Sequence, residues 1–144
     1  MTAADRARDP SAQQRAEQQA AQLYALDSAS RALGITIGDV GPGRARAAMR
    51  VRPDMVNGHG LCHGGYLFLL ADTAFAFACN TYGAPVVASG ADVTFLAPVH
   101  EGDELVAEAV ERARRGRSGL YDITVRRGEE PVVEFRGRSR VVGG

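Results

Sequence analysis

From Leu67 to Ala78 the chain is apolar at nearly every position. Leu67, Phe68, Leu69, Leu70, Ala71, Ala74, Phe75, Phe77 and Ala78 leave no polar stripe at a 3.6-residue period. Such a segment predicts a helix buried on all sides. One carboxylate, Asp72, interrupts it. Burying an unpaired carboxylate costs several kcal/mol or shifts its pKa, so an acid in that place asks for a use. A glycine-rich loop, Asn57 to Gly65, leads into the helix.

The other stretches read as its housing. Residues 1 to about 10 are polar and expected to be disordered, and residues 11–144 are expected to form a single domain. Ser11 to Leu33 is rich in Ala, Gln and Arg, all good helix formers; Ser11 can cap its start and Gly34 its end. Leu23, Leu26 and Leu33, with Ala29, give that helix a thin apolar stripe for packing on the domain. Ile35 to Val40 reads as a strand and Gly41-Pro42-Gly43 as a turn. From Arg44 to Arg52, Arg44, Arg46, Arg50 and Arg52 alternate with Ala45, Ala47, Met49 and Val51, as in a half-buried strand of a hairpin. The arginines read first as a solvated sheet face and second as a phosphate site.

Beyond the central helix, Gly83-Ala84-Pro85 breaks the pattern and Val86 to Leu96 reads as a long strand. Residues 104 to 115 favour helix by composition and strand by alternation. Their neighbours, Leu120 to Arg127 and Val132 to Val142 around a turn at Gly128-Glu129, tip them to strand. Short connections favour an antiparallel sheet. The fold class is α+β: an antiparallel sheet around one long buried helix, with an extra N-terminal helix.

Composition narrows the function. The 144 residues are 45% hydrophobic with formal net charge +0. Nothing marks a nucleic-acid or membrane-surface binder, and with no Trp and few aromatics there is no stacking platform for bases. Cys62 and Cys79 do not suggest a disulfide scaffold. The first residues are charged without an apolar core, unlike a secretory signal. Asn80, Gly83, Pro85 and Ser89 punctuate the run after Asp72, which argues against a membrane span. A cytoplasmic location is expected.

Several chemistries compete for the central stretch. His59, Cys62 and His63 with Asp72 suggest a metal site, but adjacent Cys62 and His63 cannot both turn easily toward one ion. A Cys62 nucleophile with His63 as base meets the same objection. A structural reading makes the two Cys core fillers and bonds Asp72 to a buried backbone group. A fourth reading joins loop and helix. Gly64 and Gly65 stand at a helix start, where unpaired N–H groups and a partial positive charge can hold a carbonyl oxygen under attack. Asp72 then activates water or attacks directly. Gly64 and Asp72 are eight residues apart, about 12 Å along a helix axis at 1.5 Å per residue. Two groups acting on one carbonyl must both lie near it. Two antiparallel copies of the helix satisfy that, so the reading expects an obligate two-fold oligomer.

The stretch NGHGLCHGGYLFLLADTAFAFACN, Asn57 to Asn80, resembles the hotdog-fold acyl-CoA thioesterases of the PaaI, phenylacetic-acid-degradation type. So do Val87-Ala88-Ser89, Asp92 to Pro98, Gly102-Asp103, Gly119 to Asp122 and Phe135-Arg136-Gly137. The resemblance runs from about Leu23 to Gly144. It implies a central helix wrapped by an antiparallel sheet, paired into dimers and usually tetramers. It implies hydrolysis of acyl-CoA, here of phenylacetyl-type or related aryl-acyl thioesters, without metal or redox cofactor. By position Asp72 matches the catalytic carboxylate, Asn57 the residue that helps hold the water, and Gly64 the backbone donor to the thioester oxygen. His63 would steady the loop or approach the carbonyl, Thr73 matches a supporting hydroxyl, and His59 shapes the loop. Gly65 adds room for substrate. Tyr66 and Leu61 depart from the polar residues common there, which bears on acyl preference. Arg112, Arg114, Arg115 and Arg117 surround Gly116, and of these Arg115 and Arg117 are the candidates for the CoA phosphates. The competing readings are a non-catalytic hotdog module that binds acyl-CoA, and a hotdog dehydratase, whose expected histidine motif is absent.

Overall fold

A computed structural model describes residues 10–143. The tail expected over residues 1–10 lies outside the described residues, except for Pro10, which opens the first helix. The elements are α1 (Pro10–Leu26), α2 (Ser28–Ala32), β1 (Thr36–Gly41), β2 (Arg44–Arg50), α3 (Gly64–Cys79), β3 (Val86–Phe95), β4 (Glu104–Arg115), β5 (Ser118–Arg127) and β6 (Glu130–Val141). A 3-10 turn, Pro53–Met55, follows β2.

The strands form one six-stranded antiparallel sheet in the order β1-β2-β4-β5-β6-β3. Its inner face follows from the alternation. The register places Ala45, Ala109, Ile123, Phe135 and Val93 in one row across five strands. Alanines dominate that row on β2 and β4, so α3 can lie close to the sheet. At Gly137 a Cβ would stand 2.7 Å from the Phe75 ring, so the helix uses the space that the glycine leaves. Phe75 also packs against Tyr121 and Phe135, with ring centroids 5.6 and 6.0 Å away.

The ambiguous stretch 104–115 is a strand throughout. Its neighbours supply the hydrogen bonds that its local composition would have spent in a helix. Two expectations need correction. The N-terminal helix is not continuous from Ser11 to Leu33. It ends at Leu26, and Asp27 caps a new short helix by accepting from Ser30 N–H at 2.9 Å. The break turns Leu26 out, 82% exposed. Leu23 and Leu33 pack on the body as expected, joined by Ala20, Tyr24 and the buried Ala16, and Tyr24 donates its hydroxyl to Ile35 O at 2.7 Å.

The second correction concerns α3. It is not buried on every side within one chain. The sheet and the N-terminal segment cover Leu67, Leu70, Ala71, Ala74, Phe75, Phe77 and Ala78. Gly65, Phe68, Leu69, Asp72 and Ala76 form a stripe that is half-buried or exposed. The sheet curls around one side of the rod only, and among the described residues no strand lies beyond its β3 edge.

The arginine face of β2 is held by charges. Arg44 and Arg46 pair with Asp39, Arg46 with Glu108, and Arg52 with Asp54. No described helix is long and apolar enough to cross a membrane.

Candidate active site

The loop before α3 is built around Asn57. Its side-chain oxygen accepts from His59 N–H at 2.9 Å and Leu61 N–H at 3.2 Å. Its backbone N–H donates to Leu61 O at 2.7 Å and its carbonyl accepts from Gly60 N–H at 3.1 Å. Gly60 permits the reversal, with φ at 77°. Two bonds anchor the loop to the body, Cys62 N–H to Val99 O at 2.7 Å and His63 N–H to Met55 O at 2.8 Å. With Oδ1 committed to the loop, the Asn57 amide group alone is left to face a ligand. His59 is exposed on the same loop.

His63 is the N-cap of α3. Its Nδ1 accepts from Gly65 N–H at 3.0 Å, and its carbonyl accepts from Tyr66 N–H at 3.0 Å. The proton of His63 therefore sits on Nε2, which points away from the cap. Gly64, the first helical residue, keeps an N–H with no acceptor among the described residues. This is the donor that a helix start leaves over. Beside it opens a cleft of about 400 Å3, lined by Asn57, Leu61, Gly64, Leu67, Phe95 and Leu96 among others. The Phe95 ring lies directly over Gly64, where a Cβ would come within 3.1 Å of it.

Asp72 stands two turns further along, on the uncovered stripe. It makes no hydrogen bond or ion pair with any described residue. Burial pushes its carboxyl above the ordinary carboxylate range. Thr73 points the other way, into the interior, where its hydroxyl meets that of Ser30 at 3.1 Å. The two thiols are inert: burial raises Cys62 to about 11 and Cys79 to about 12. Among the described residues no three His, Cys, Asp or Glu side chains are placed to hold a metal.

One chain thus brings Asn57, His63, Gly64 and Gly65 together at the start of α3 and leaves Asp72 about 12 Å away along the helix. The arginines lie elsewhere, on the β4–β5 turn. Arg112 pairs with Asp122 at 3.2 Å, and Arg114 stacks over Tyr82 at 3.6 Å. Arg117 donates to Val141 O and Gly143 O, the latter at 2.7 Å. Arg115 has no hydrogen bond or ion pair among the described residues. Sequence reasoning missed Phe95. It is the aromatic residue of a strand end, and the signal was there in the Asp92 to Pro98 stretch.

The Thioesterase superfamily model matches residues 59–134, a span that holds most of the loop, all of α3 and most of the sheet. The chain belongs to the thioesterase superfamily. It is 45% identical over 131 residues to the acyl-coenzyme A thioesterase PaaI of Escherichia coli, which covers 90% of this chain and 94% of that one. A putative esterase of Deinococcus radiodurans is 43% identical over 107 residues, 74% of this chain and 72% of its own. Among solved structures, the E. coli PaaI protein of the phenylacetic acid degradation operon superposes with a TM-score of 0.89 at 44% identity, over 92% of this chain and 96% of that one. The TT0310 protein of Thermus thermophilus does so at 0.78 and 37% identity, over 81% and 98%. The fold is the hotdog fold of PaaI-type thioesterases.

Proposed function

We propose that the protein hydrolyses acyl-CoA thioesters, with aryl-acyl groups of the phenylacetyl type as its substrates, in sites shared between two copies of the chain. One observation carries this reading. A half-buried, unpaired carboxylate and an N–H without an acceptor lie on the same helix, too far apart to act on one carbonyl. A second copy running antiparallel sets Gly64 of one chain opposite Asp72 of the other. The uncovered stripe of α3 and the open β3 edge offer the surface for that pairing. Val87, Phe95 and Leu96 are exposed along that edge. Pairs of such dimers form the assembly in the cytoplasm.

The chemistry then follows from the groups present. The ionised Asp72 takes a proton from water as the hydroxyl oxygen adds to the thioester carbon. The carbonyl oxygen gains negative charge and is held by Gly64 N–H at the positive end of the helix. The Asn57 amide orients the water. As the intermediate collapses the C–S bond breaks, and the CoA sulfur leaves with the proton that Asp72 received. In direct attack the Asp72 carboxylate displaces the CoA thiolate to give a mixed anhydride, and water then cleaves the anhydride, restoring Asp72 and leaving the same acid and thiol. His63 keeps the loop capped so that Gly64 N–H stays aimed. The cleft walls of Leu61, Leu67 and Phe95 suit a flat apolar acyl group.

The test is a panel of phenylacetyl-CoA, other aryl-acyl-CoAs and straight-chain acyl-CoAs, with release of CoA thiol followed by a thiol reagent. Phenylacetyl-type thioesters are expected to give the highest kcat/KM. Asp72→Asn is expected to lower it by roughly a thousandfold, the scale of losing a catalytic base. Near-normal turnover in that variant would overturn the mechanism. Tight binding of acyl-CoA without release of thiol would make the protein a binding module instead.

A further inference from the structure

Asp72 lies midway along α3, eight residues from Gly64 and eight from Asn80. Both ends of the helix are tied down by directional bonds. At the start His63 N–H donates to Met55 O at 2.8 Å. At the end Asn80 exchanges two bonds with Val86: its Nδ2 donates to Val86 O at 3.0 Å and its Oδ1 accepts from Val86 N–H at 2.9 Å. Between the ends the covered side is almost wholly apolar, with Leu70, Ala71, Ala74, Phe75 and Phe77 against the sheet and the N-terminal segment. Apolar contact has no direction of its own. It sets how deep the rod lies, as Phe75 over Gly137 does, and constrains rotation about the axis less.

One side chain in this middle stretch makes a directional contact with another element. Thr73, 7% exposed, meets the hydroxyl of Ser30, 2% exposed, at 3.1 Å. Ser30 belongs to α2 and stands over α3 because the N-terminal helix breaks at Asp27. Its backbone is fixed on both sides: its N–H donates to Asp27 Oδ1 at 2.9 Å and its carbonyl accepts from Ile35 N–H at 3.0 Å. The same segment grips α3 one turn on, where Tyr24 packs edge-on against Phe77 at 6.4 Å between centroids.

Two buried hydroxyls in an apolar contact ask for a reason. Replacing both partners of such a bond by apolar groups of the same shape leaves stability nearly unchanged. The pair therefore contributes little to holding the fold, and what it contributes is direction. Asp72 precedes Thr73 by about 100° around the axis. With Thr73 held from inside, Asp72 is turned onto the uncovered stripe. At about 5 Å from the axis, a rotation of about 10° carries a carboxylate about 1 Å. A displacement of that size costs up to about a hundredfold in rate.

We infer that Ser30 is a positioning residue: through Thr73 it sets the rotation of α3 and so the aim of the Asp72 carboxylate across the open stripe. This rests on the acyl-CoA reading above, in which Asp72 is the base, and gives α2 a part in it. Ser30 itself touches no substrate.

The test has two arms. The first compares the parent with Ser30→Ala, with the double variant Ser30→Ala/Thr73→Val, and with Thr73→Ser, in kinetics on the acyl-CoA that the parent turns over fastest and in thermal unfolding. The double variant leaves no hydroxyl unpaired and should keep the parent Tm. Its kcat should fall about tenfold with KM unchanged, the pattern of a misaimed group that does not bind substrate. Thr73→Ser keeps the hydroxyl and loses a methyl, so its Tm should drop while most of kcat remains. Ser30→Ala should lose both kcat and Tm. Parental kcat in the double variant, or kcat that follows Tm across the series, would overturn the assignment. The second arm needs no turnover. Crystal structures of the parent and the double variant should show the Asp72 carboxylate displaced by about 1 Å, the scale on which aim matters. An unmoved carboxylate would overturn the assignment whatever the kinetics. If the parent releases no thiol from any acyl-CoA, the hydrolytic reading fails, and the crystallographic arm still decides whether Ser30 aims Asp72.

Discussion

The two long sides of α3 carry similar side chains and meet different surroundings. Phe75 and Phe77 lie on the covered side, against Tyr121, Phe135 and Tyr24. Phe68 and Leu69 lie on the other, where Phe68 touches Phe135 with only part of its ring and stays 36% exposed. The first side is finished by its own sheet. The second is apolar without being finished, and Asp72 sits in the middle of it. A carboxylate that is half desolvated and unpaired is poorly served by one chain alone. The covered side holds the protein together, and the open side is where we propose that it acts.

The largest effect that this contrast predicts is on the covered side. Phe75→Ala removes a ring packed between Gly137, Tyr121 and Phe135, and it should cost roughly 3–5 kcal/mol in urea denaturation. A loss below about 1 kcal/mol would mean that the sheet does not hold the helix as described. On the open side Leu69→Glu should leave the circular dichroism spectrum unchanged. It should instead split the assembly into monomers in sedimentation and remove hydrolytic activity with it. An active monomer would break the contrast and the shared-site mechanism together.

Much of this was legible in the residues and some was not. The alternation from Arg44 to Arg50 and from Glu104 to Arg115 carries the sheet, since strand neighbours outvote local helix preference. The break at Asp27 was readable too, because an Asp before Ser-x-Ser is a helix start, but a run of Ala, Gln and Arg hides it. Which side of α3 stays open was not readable. An apolar helix looks the same whether its own sheet or a second chain covers it. Asp72, Asn57 and Gly64 stand out by type and position within one stretch.

A smaller effect belongs to Asp72 itself. Burial raises its carboxyl pKa in the folded chain above its unfolded value. Folding therefore favours its protonated form. That contribution to stability is fully present below the unfolded pKa and is lost as pH rises through the folded one. In the proposed mechanism catalysis needs the ionised form, so kcat/KM should fall as pH drops through the same raised pKa. The two demands oppose each other. Asp72→Asn should thus be modestly more stable than the parent at neutral pH while inactive, and the gain should vanish under acid conditions. Asp103 and Asp122 work in the opposite sense, held low by the His100 N–H with Arg127 and by Arg136, so both stabilise as pH rises. They remain in the variant, and the difference between parent and variant isolates Asp72. A variant less stable than the parent at neutral pH would show that Asp72 is a structural group.

The smallest expected effect separates two duties of His63. As the cap of α3 its Nδ1 holds Gly65 N–H at 3.0 Å. His63→Ala should cost about 1 kcal/mol, the usual worth of an N-cap. His63→Asn restores a short acceptor at the same position and should recover that stability. If His63 only steadies the loop, Asn should recover kcat/KM as well, because Gly64 N–H is again aimed. If the imidazole also approaches the thioester carbonyl, stability returns in His63→Asn while kcat stays low and KM is unchanged. Recovery of both places the catalytic burden of the open side on Asp72, Asn57 and the Gly64 N–H alone.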